Sequence, residues 1–228
     1  MEQTCRATIP GDEPGRTTRL PRRPGAIVRP AGRQPPRRLL DVTAVGRDDA
    51  ERAALETYVR TAFNRSHDAE VNSFMPTLLA FRDGAGSLRG VLGLRSAADA
   101  TLYLENYLDR PVEQSIVAAG YHPVDRREVV EVGNLAAGSC LAAVRMVAQM
   151  PVQLMNRGYS WIVFTATSTV HEILLGFGAP LVELGRADPR RVARQADRWG
   201  RYYDNDPRVY AGYLPDSRAI PGFAAAAT

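Results

Sequence analysis

Residues 129–156 constrain the fold of this chain more than any other segment. They begin with an apolar run, residues 129–136, of the length and composition of a buried strand. Gly133 interrupts this run, and a glycine inside a strand pattern indicates a bulge or a close backbone approach. A turn of small residues follows at 137–139, and a long apolar helix then extends to residue 156. This order predicts a site where a ligand meets exposed backbone N–H groups.

The composition is that of an ordinary globular protein with one domain. The chain has 228 residues, of which 45% are apolar and 24% are charged. Residues 1–38 are rich in proline and arginine and show no hydrophobic periodicity, so we predict a disordered extension there. This extension is either dispensable or an arm that docks on an acidic partner. We predict one domain at 39–217 and a flexible tail at 218–228.

The charge and the cysteine content limit the possible partners and compartments. The net charge of +4 arises mainly from the N-terminal extension, which argues against a nucleic-acid-binding face on the domain. Two cysteines are too few for a disulfide framework, and the N-terminus lacks the apolar core of a signal peptide. No stretch approaches the ~18 apolar residues that span a bilayer. The sequence therefore predicts a cytoplasmic protein with no transmembrane segment.

The remaining pattern predicts a mixed α/β sheet with helices on both faces. Three strands form an antiparallel meander before the central strand, and a β-α-β arrangement follows it. Asp48 or Asp49 is expected to cap the first helix, and Pro151 to kink or break the third. The predicted strands are 39–45, 77–82, 88–95, 102–107, 129–136, 159–165, 180–184 and 209–214, and the predicted helices are 48–65, 109–119, 139–156, 169–177 and 188–197.

Six short motifs between residues 60 and 215 resemble the thermostable hemolysin family in sequence and in order. They are Met75-Pro76-Thr77-Leu78-Leu79, Gly93-Leu94-Arg95, Leu104-Glu105-Asn106-Tyr107-Leu108, Glu131-Val132-Gly133-Asn134-Leu135-Ala136, Trp161-Ile162-Val163-Phe164-Thr165-Ala166-Thr167 and Trp199-Gly200-Arg201-Tyr202-Tyr203. The resemblance implies a GNAT-like fold related to the acyl-homoserine-lactone synthases, in which the fourth strand bulges and splays from the fifth.

The resemblance also implies an activity. A GNAT-like N-acyltransferase would move a fatty acyl group to a small amine or an amino-acid-derived acceptor, as in natural product or signal biosynthesis. The donor would be the phosphopantetheine thioester of an acyl carrier protein or of coenzyme A, and no cofactor would be tightly bound. The alternative is a membrane-active lytic protein, as the family name suggests. None of the three histidines has partners at metal-ligand spacing, so we predict no metal site.

Three residues are the candidates for catalysis. Glu131 is either the general base that deprotonates the amine or a carboxylate that faces solvent or pairs with an arginine. Asn134 either assists the backbone N–H groups in binding the oxyanion or caps the bulge. Glu105 is either part of a polar pocket wall, on a strand beside the central one, or a charge on an edge strand.

Further residues are candidates for substrate binding. The 137–139 turn and the helix N-terminus after it are expected to hold a pantetheine phosphate. Arg145 either meets that phosphate or is solvated or paired with another side chain. Tyr202 or Tyr203 either supplies the general acid or packs against the core. The complete set of predicted substrate-binding residues is Arg95, Leu135, Ala136, Gly138, Ser139, Arg145, Thr165, Thr167, Tyr202 and Tyr203.

Overall fold

The computed structural model describes residues 39–192 and 197–219, which form a seven-stranded mixed sheet. The strand order is β1-β2-β3-β4-β5-β7-β6, and only the β4–β5 pair is parallel. The strands are β1 (Asp41–Val45), β2 (Thr77–Arg82), β3 (Leu88–Ser96), β4 (Val129–Ala137), β5 (Trp161–Ala166), β6 (Leu181–Arg186) and β7 (Arg208–Tyr213). The α-helices are α1 (Arg52–His67), α2 (Val112–Ala118), α3 (Cys140–Met155) and α4 (Ser168–Phe177). The predicted extension 1–38, residues 193–196 of the helix predicted at 188–197, and residues 220–228 of the predicted tail lie outside the described residues.

Two 3-10 helices border the site described below. They are Tyr103–Tyr107, hereafter the 103–107 helix, and Asp197–Asn205, hereafter the 197–205 segment. Within the described ranges, no helix is both long and apolar enough to cross a membrane.

Helices cover both faces of the sheet, as the pattern predicted. On one face, α3 and α4 bury Met146, Leu154 and Leu174 against Val130 and Phe164 of the central strands. On the other face, α1 covers the β1–β3 half of the sheet, and the 103–107 helix and α2 cover the β5–β7 half. Each fully buried aliphatic side chain contributes about 1.5–3 kcal/mol, so both layers hold the central strands rigidly.

The structure corrects three expectations about individual elements. The strand predicted at 102–107 is wrong, because this segment forms a 3-10 helix. Its buried residues Leu104 and Tyr107 are three apart, which matches the three residues per turn of that helix. The cap of α1 is Glu51, which makes no side-chain capping bond, rather than Asp48 or Asp49. The break that was one alternative at Pro151 does not occur, because α3 continues to Met155, while the alternative of a kink stays a prediction.

Candidate active site

The bulge in β4 is present, and its unusual residue is Asn134. Pairing with β3 shifts between Val91 and Gly93, so that β4 has one extra residue at this point. Asn134 has a φ of 48°, in the left-handed region that side chains rarely adopt. Its Oδ1 atom accepts a hydrogen bond from the Met75 N–H at 2.9 Å. Asn134 therefore ties the segment before β2 to the bulge.

Gly133 permits a close approach rather than a special backbone angle. A Cβ atom added to Gly133 would lie 2.6 Å from the Cε atom of Met75, and one added to its cross-strand partner Gly93 would lie 2.7 Å from the same side chain. The absence of side chains at the two glycines leaves the space that the Met75 side chain occupies. The glycine pattern predicted either a bulge or a close approach at residue 133. The close approach is present at Gly133, and the bulge is at the next residue, Asn134.

A gap opens in the sheet beyond the bulge. The parallel pairing of β4 with β5 runs from Val129 with Trp161 to Val132 with Phe164 and then stops, although both strands continue. Beyond that point the backbone of β4 on its β5 side has no strand partner among the described residues. The predicted divergence of the fourth and fifth strands is therefore confirmed.

A cavity of about 410 Å³ occupies this gap and is lined from both faces of the sheet. Val147, Met150 and Leu174 line it from the α3/α4 face, and they are apolar. From the opposite face it is lined by polar and aromatic groups. The cavity therefore passes through the sheet and has one apolar end and one polar end.

Glu131 lies at the polar end, at the start of the gap. It is 3% exposed, and its side chain lines the cavity. Its Oε1 and Oε2 atoms accept hydrogen bonds of 2.9 Å from the N–H groups of Leu104 and Tyr103. Burial raises the pKa of Glu131 above its usual range, although these two bonds and the Arg95 charge act in the opposite direction. The structure thus excludes a carboxylate that faces solvent.

Arg95 is the cross-strand neighbour of Glu131 and lines the same cavity. The two residues are directly opposite in the β3–β4 register, so their side chains leave the same face of the sheet. No hydrogen bond or ion pair from any described residue engages the Arg95 guanidinium. A cation and an anion thus stand side by side in a half-buried cavity without bonding to each other.

An aromatic wall completes the polar end. Tyr103, Tyr107, Trp199 and Tyr202 line the cavity, and the Trp199 indole N–H donates to the Tyr103 hydroxyl at 3.3 Å. Burial raises the pKa of Tyr202, so its hydroxyl retains its proton at neutral pH. Tyr203 lies outside the cavity lining, where its hydroxyl is 2.7 Å from that of Tyr107 and burial raises its pKa to about 12.

His67 is a cavity residue that the sequence interpretation missed. Its Nδ1 atom is buried and has no hydrogen-bond partner among the described residues. Burial and the Arg201 charge lower the pKa of His67, so its imidazole is neutral at pH 7. The spacing of Val59, Phe63 and His67 places all three on one face of α1, and this was the signal available in the sequence.

Glu105 lies outside the cavity, and its environment differs from the predicted strand. Its carboxylate accepts bonds from the N–H groups of Leu102 and Val112 and from Arg126. Although burial opposes its ionisation, these donors outweigh burial and hold the pKa of Glu105 below its usual range. We therefore do not place Glu105 in contact with a substrate.

The cavity brings together seven of the predicted site residues and leaves six outside. Those that line it are Arg95, Glu131, Asn134, Leu135, Thr165, Thr167 and Tyr202. Those outside its lining are Glu105, Ala136, Gly138, Ser139, Arg145 and Tyr203. The Gly138 N–H donates to the Arg89 carbonyl, and the Ser139 hydroxyl accepts from the Ala142 N–H as the cap of α3. The phosphate site at this turn stays a prediction.

Comparisons with known proteins show the family and the fold of this chain. The family described as "Thermostable hemolysin" matches residues 45–218, which is most of the chain. The chain belongs to the thermostable hemolysin family. None of the curated proteins with which it was compared matches it significantly.

Among solved structures, this member of the thermostable hemolysin family is similar to two acyl-homoserine-lactone synthases and to the protein TofI. It is 10% identical to the AHL synthase LasI over 77% of this chain and 90% of that one, with a TM-score of 0.51. It is 17% identical to the CoA-dependent acyl-homoserine lactone synthase MesI over 80% of this chain and 95% of that one, with a TM-score of 0.50. Its identity to TofI in an apo form is 14% over 82% of this chain and 99% of that one, with a TM-score of 0.53. These similarities confirm the GNAT-like fold.

Proposed function

We propose that this protein is an N-acyltransferase that moves a fatty acyl group from a carrier-bound or coenzyme A thioester to the amine of an amino acid. The observation that carries the proposal is the position of Glu131. A buried carboxylate with a raised pKa stands where the sheet opens, between an apolar chamber and a polar one. Such a carboxylate is suited to accept a proton from an amine near neutral pH.

The two ends of the cavity suit the two substrates. The apolar end beside Val147, Met150 and Leu174 suits an acyl chain, which gains about 0.8 kcal/mol for each buried CH₂. The thioester carbonyl then lies in the gap, beside the bulge at Asn134, where unpaired backbone N–H groups would stabilise its developing negative charge. The donor is an acyl carrier protein or coenzyme A, and the cavity is compatible with either.

The reaction that follows is an aminolysis. Glu131 first accepts one proton from the ammonium group of the acceptor and passes it to solvent. The neutral amine nitrogen then attacks the thioester carbonyl carbon and forms a C–N bond, while Glu131 accepts the second proton that the nitrogen loses. The tetrahedral intermediate collapses with cleavage of the C–S bond. The leaving thiolate takes a proton from the Tyr202 hydroxyl or from water. Glu131 returns its proton to solvent, and a Tyr202 phenolate takes a proton from solvent, so both side chains regain their starting states. The products are an amide and a free thiol.

The pair of Arg95 and Glu131 supports an acceptor that carries a carboxylate. In a free α-amino acid, the cationic ammonium group and the anionic carboxylate group are both attached to the α-carbon. Arg95 would bind its carboxylate, and Glu131 would receive its ammonium group. Because Arg95 has no other partner among the described residues, it needs no rearrangement to do so.

The substitution Glu131→Gln tests the catalytic proposal. The purified protein is incubated with acyl-CoA thioesters or acyl carrier protein thioesters and a panel of amino acids, and N-acyl products are measured by mass spectrometry. We expect the loss of a general base to reduce turnover by about 10²–10⁴-fold. Glu128→Gln, an exposed change three residues earlier, is the matched control and should retain activity. Full turnover in Glu131→Gln would contradict the assignment.

The substitution Arg95→Gln tests the acceptor class. We compare phenylalanine with phenethylamine, which lacks only the carboxylate. With phenylalanine, Arg95→Gln should raise KM by about 10- to 100-fold, because a charged hydrogen bond contributes about 1.5–3 kcal/mol. With phenethylamine it should have little effect, and the exposed Arg110→Gln control should affect neither substrate. Equal losses for both amines would exclude carboxylate binding by Arg95.

A further inference from the structure

The carboxylate of Glu131 is bound by the first turn of the 103–107 helix. The N–H groups of Tyr103 and Leu104 belong to the start of that helix, where backbone donors have no partner within the helix. Each donates to a different oxygen of Glu131 at 2.9 Å. The orientation of the carboxylate is therefore set by the position of this helix, because no side chain among the described residues donates to it.

Glu105 in turn fixes the 103–107 helix. Its Oε2 atom accepts a hydrogen bond of 2.7 Å from the N–H group of Leu102, the N-cap residue, and so caps the start of the helix. Its Oε1 atom accepts from the Val112 N–H at 2.9 Å, at the start of α2. Because Glu105 is in the middle of the helix, its carboxylate joins the start of this helix to the start of α2.

Arg126 holds Glu105 in place. Its two terminal nitrogens donate to the two oxygens of Glu105 at 2.7 and 2.8 Å, in a bidentate ion pair. The same guanidinium donates to the Ala97 carbonyl at 2.7 Å and to Glu113 at 2.6 Å. The Glu105 side chain is 7% exposed and the Arg126 side chain 28%, so this pair is screened less than a surface ion pair.

We propose that Arg126 and Glu105 are positioning residues for Glu131, acting through the backbone N–H groups of the 103–107 helix. Neither side chain lines the cavity, so neither contacts the substrates. The proposal rests on the proposed function only in giving Glu131 the role of the base. The geometric chain from Arg126 to Glu131 is independent of the reaction.

The charges around Glu131 allow two explanations to be separated. Arg95 faces it from β3 and Glu105 from the 103–107 helix, and their charges act on it in opposite directions. The other titratable groups that line the cavity are the phenols of Tyr103, Tyr107 and Tyr202, the imidazole of His67 and the carboxylate of the exposed Glu70. If Glu105 acted only through its charge, its neutralisation would lower the pKa of Glu131. If it acts by holding the N–H donors in place, neutralisation raises that pKa.

The test is a carboxyl ¹³C NMR titration of Glu131 in the full chain, with the resonance assigned by its absence in Glu131→Gln. Arg126→Met and Glu105→Gln should raise the pKa of Glu131 by about one unit, as expected for weakened N–H bonds. They should also accelerate amide exchange at Tyr103 and Leu104 by about tenfold. Arg126→Lys, which keeps the charge but not the bidentate geometry, should be intermediate.

The control is Arg127→Met, which removes the neighbouring and exposed guanidinium and should change neither readout. An unchanged pKa and exchange rate in both Arg126→Met and Glu105→Gln would overturn the proposal, as would a lowered pKa in Glu105→Gln. If Arg126→Met does not fold, Arg126→Lys and Glu105→Gln decide the question. Neither readout requires turnover, so a failure of the proposed acyltransferase activity is distinguished from a failure of this positioning.

Discussion

Asn134 meets two requirements of the site with one side chain. It adopts a left-handed backbone angle that asparagine tolerates better than most residues, and its Oδ1 atom accepts the Met75 N–H. Glycine in its place would keep the backbone angle and lose only the hydrogen bond. Alanine would lose the bond and also suffer the backbone strain.

We therefore expect Asn134→Gly to lower the free energy of unfolding by about 1–2 kcal/mol. Asn134→Ala should lower it by about 1 kcal/mol more, because alanine lacks the freedom of glycine at positive φ. Urea denaturation of the two variants and the wild type measures both contributions. Equal losses for glycine and alanine would show that the left-handed angle is not a constraint at this position.

The residues of the site could be predicted to different extents. For Glu131, only its place in an apolar strand was predictable, and the sequence left open whether its carboxylate lies in a pocket, faces solvent or pairs with an arginine. The partners of its oxygens were not predictable, because they belong to a segment whose short alternating pattern also fits a strand. The partner of Asn134 is Met75, which is 59 positions away in the chain. No local pattern reveals a contact at that distance.

At the scale of elements, the 197–205 segment lies over the cavity and is fixed by Gly200. This glycine has a φ of 51°, and a Cβ atom added to it would lie 2.3 Å from the His67 carbonyl oxygen and 2.5 Å from that of Asp68. The segment therefore packs directly on the C-terminal end of α1. Trp199 and Tyr202, which line the cavity, flank this contact.

Gly200→Ala should displace the segment. We expect a loss of stability of more than about 1 kcal/mol, from the positive φ and from the clash with backbone atoms, together with a change in Trp199 fluorescence. Gly176→Ala is the matched control, since it lies in α4 with open space around it. It should stabilise the protein by about 0.5–1 kcal/mol, because alanine favours a helix. Thermal unfolding with fluorescence detection measures both, and an unaltered Gly200→Ala would contradict the close packing.

The order of strands and helices was largely predictable from hydrophobic periodicity and from turn residues. Helix α4 ends at Gly178, which has a left-handed conformation, and β2 and β3 are joined by the turn at 83–86, as the sequence indicated. The 102–107 segment was not predictable. Its identity as a helix depends on Arg126 and Val112 binding Glu105, and these are tertiary contacts.

At the scale of the whole molecule, the family's lytic description and the proposed chemistry are compatible if the product, rather than the protein, disrupts membranes. An N-acyl amino acid is a single-chain amphiphile, and the free energy with which such a chain partitions into a bilayer grows by about 0.8 kcal/mol for each buried CH₂. Helix α3, the longer of the two apolar helices α3 and α4, is turned inward, with Met146, Met150 and Leu154 buried.

We therefore expect purified protein without an acyl donor to cause no dye leakage from phospholipid vesicles. An organic extract of the complete reaction, with acyl donor and amino acid, should cause leakage and should keep this activity after boiling. An extract from the Glu131→Gln reaction is the control and should be inactive. Leakage caused by the protein alone would instead support the alternative of a directly lytic protein.

The passage of the cavity through the sheet has a consequence for how the proposed product departs. A finished amide would be threaded between β4 and β5, with its tail among α3 and α4 and its head against the aromatic wall. Since the two strands are hydrogen-bonded from Val129 to Val132, the molecule has no sideways exit toward that end. Its way out is along the cavity or through the open end of the gap, and each methylene held at the apolar end adds about 0.8 kcal/mol to the free energy of withdrawing the chain.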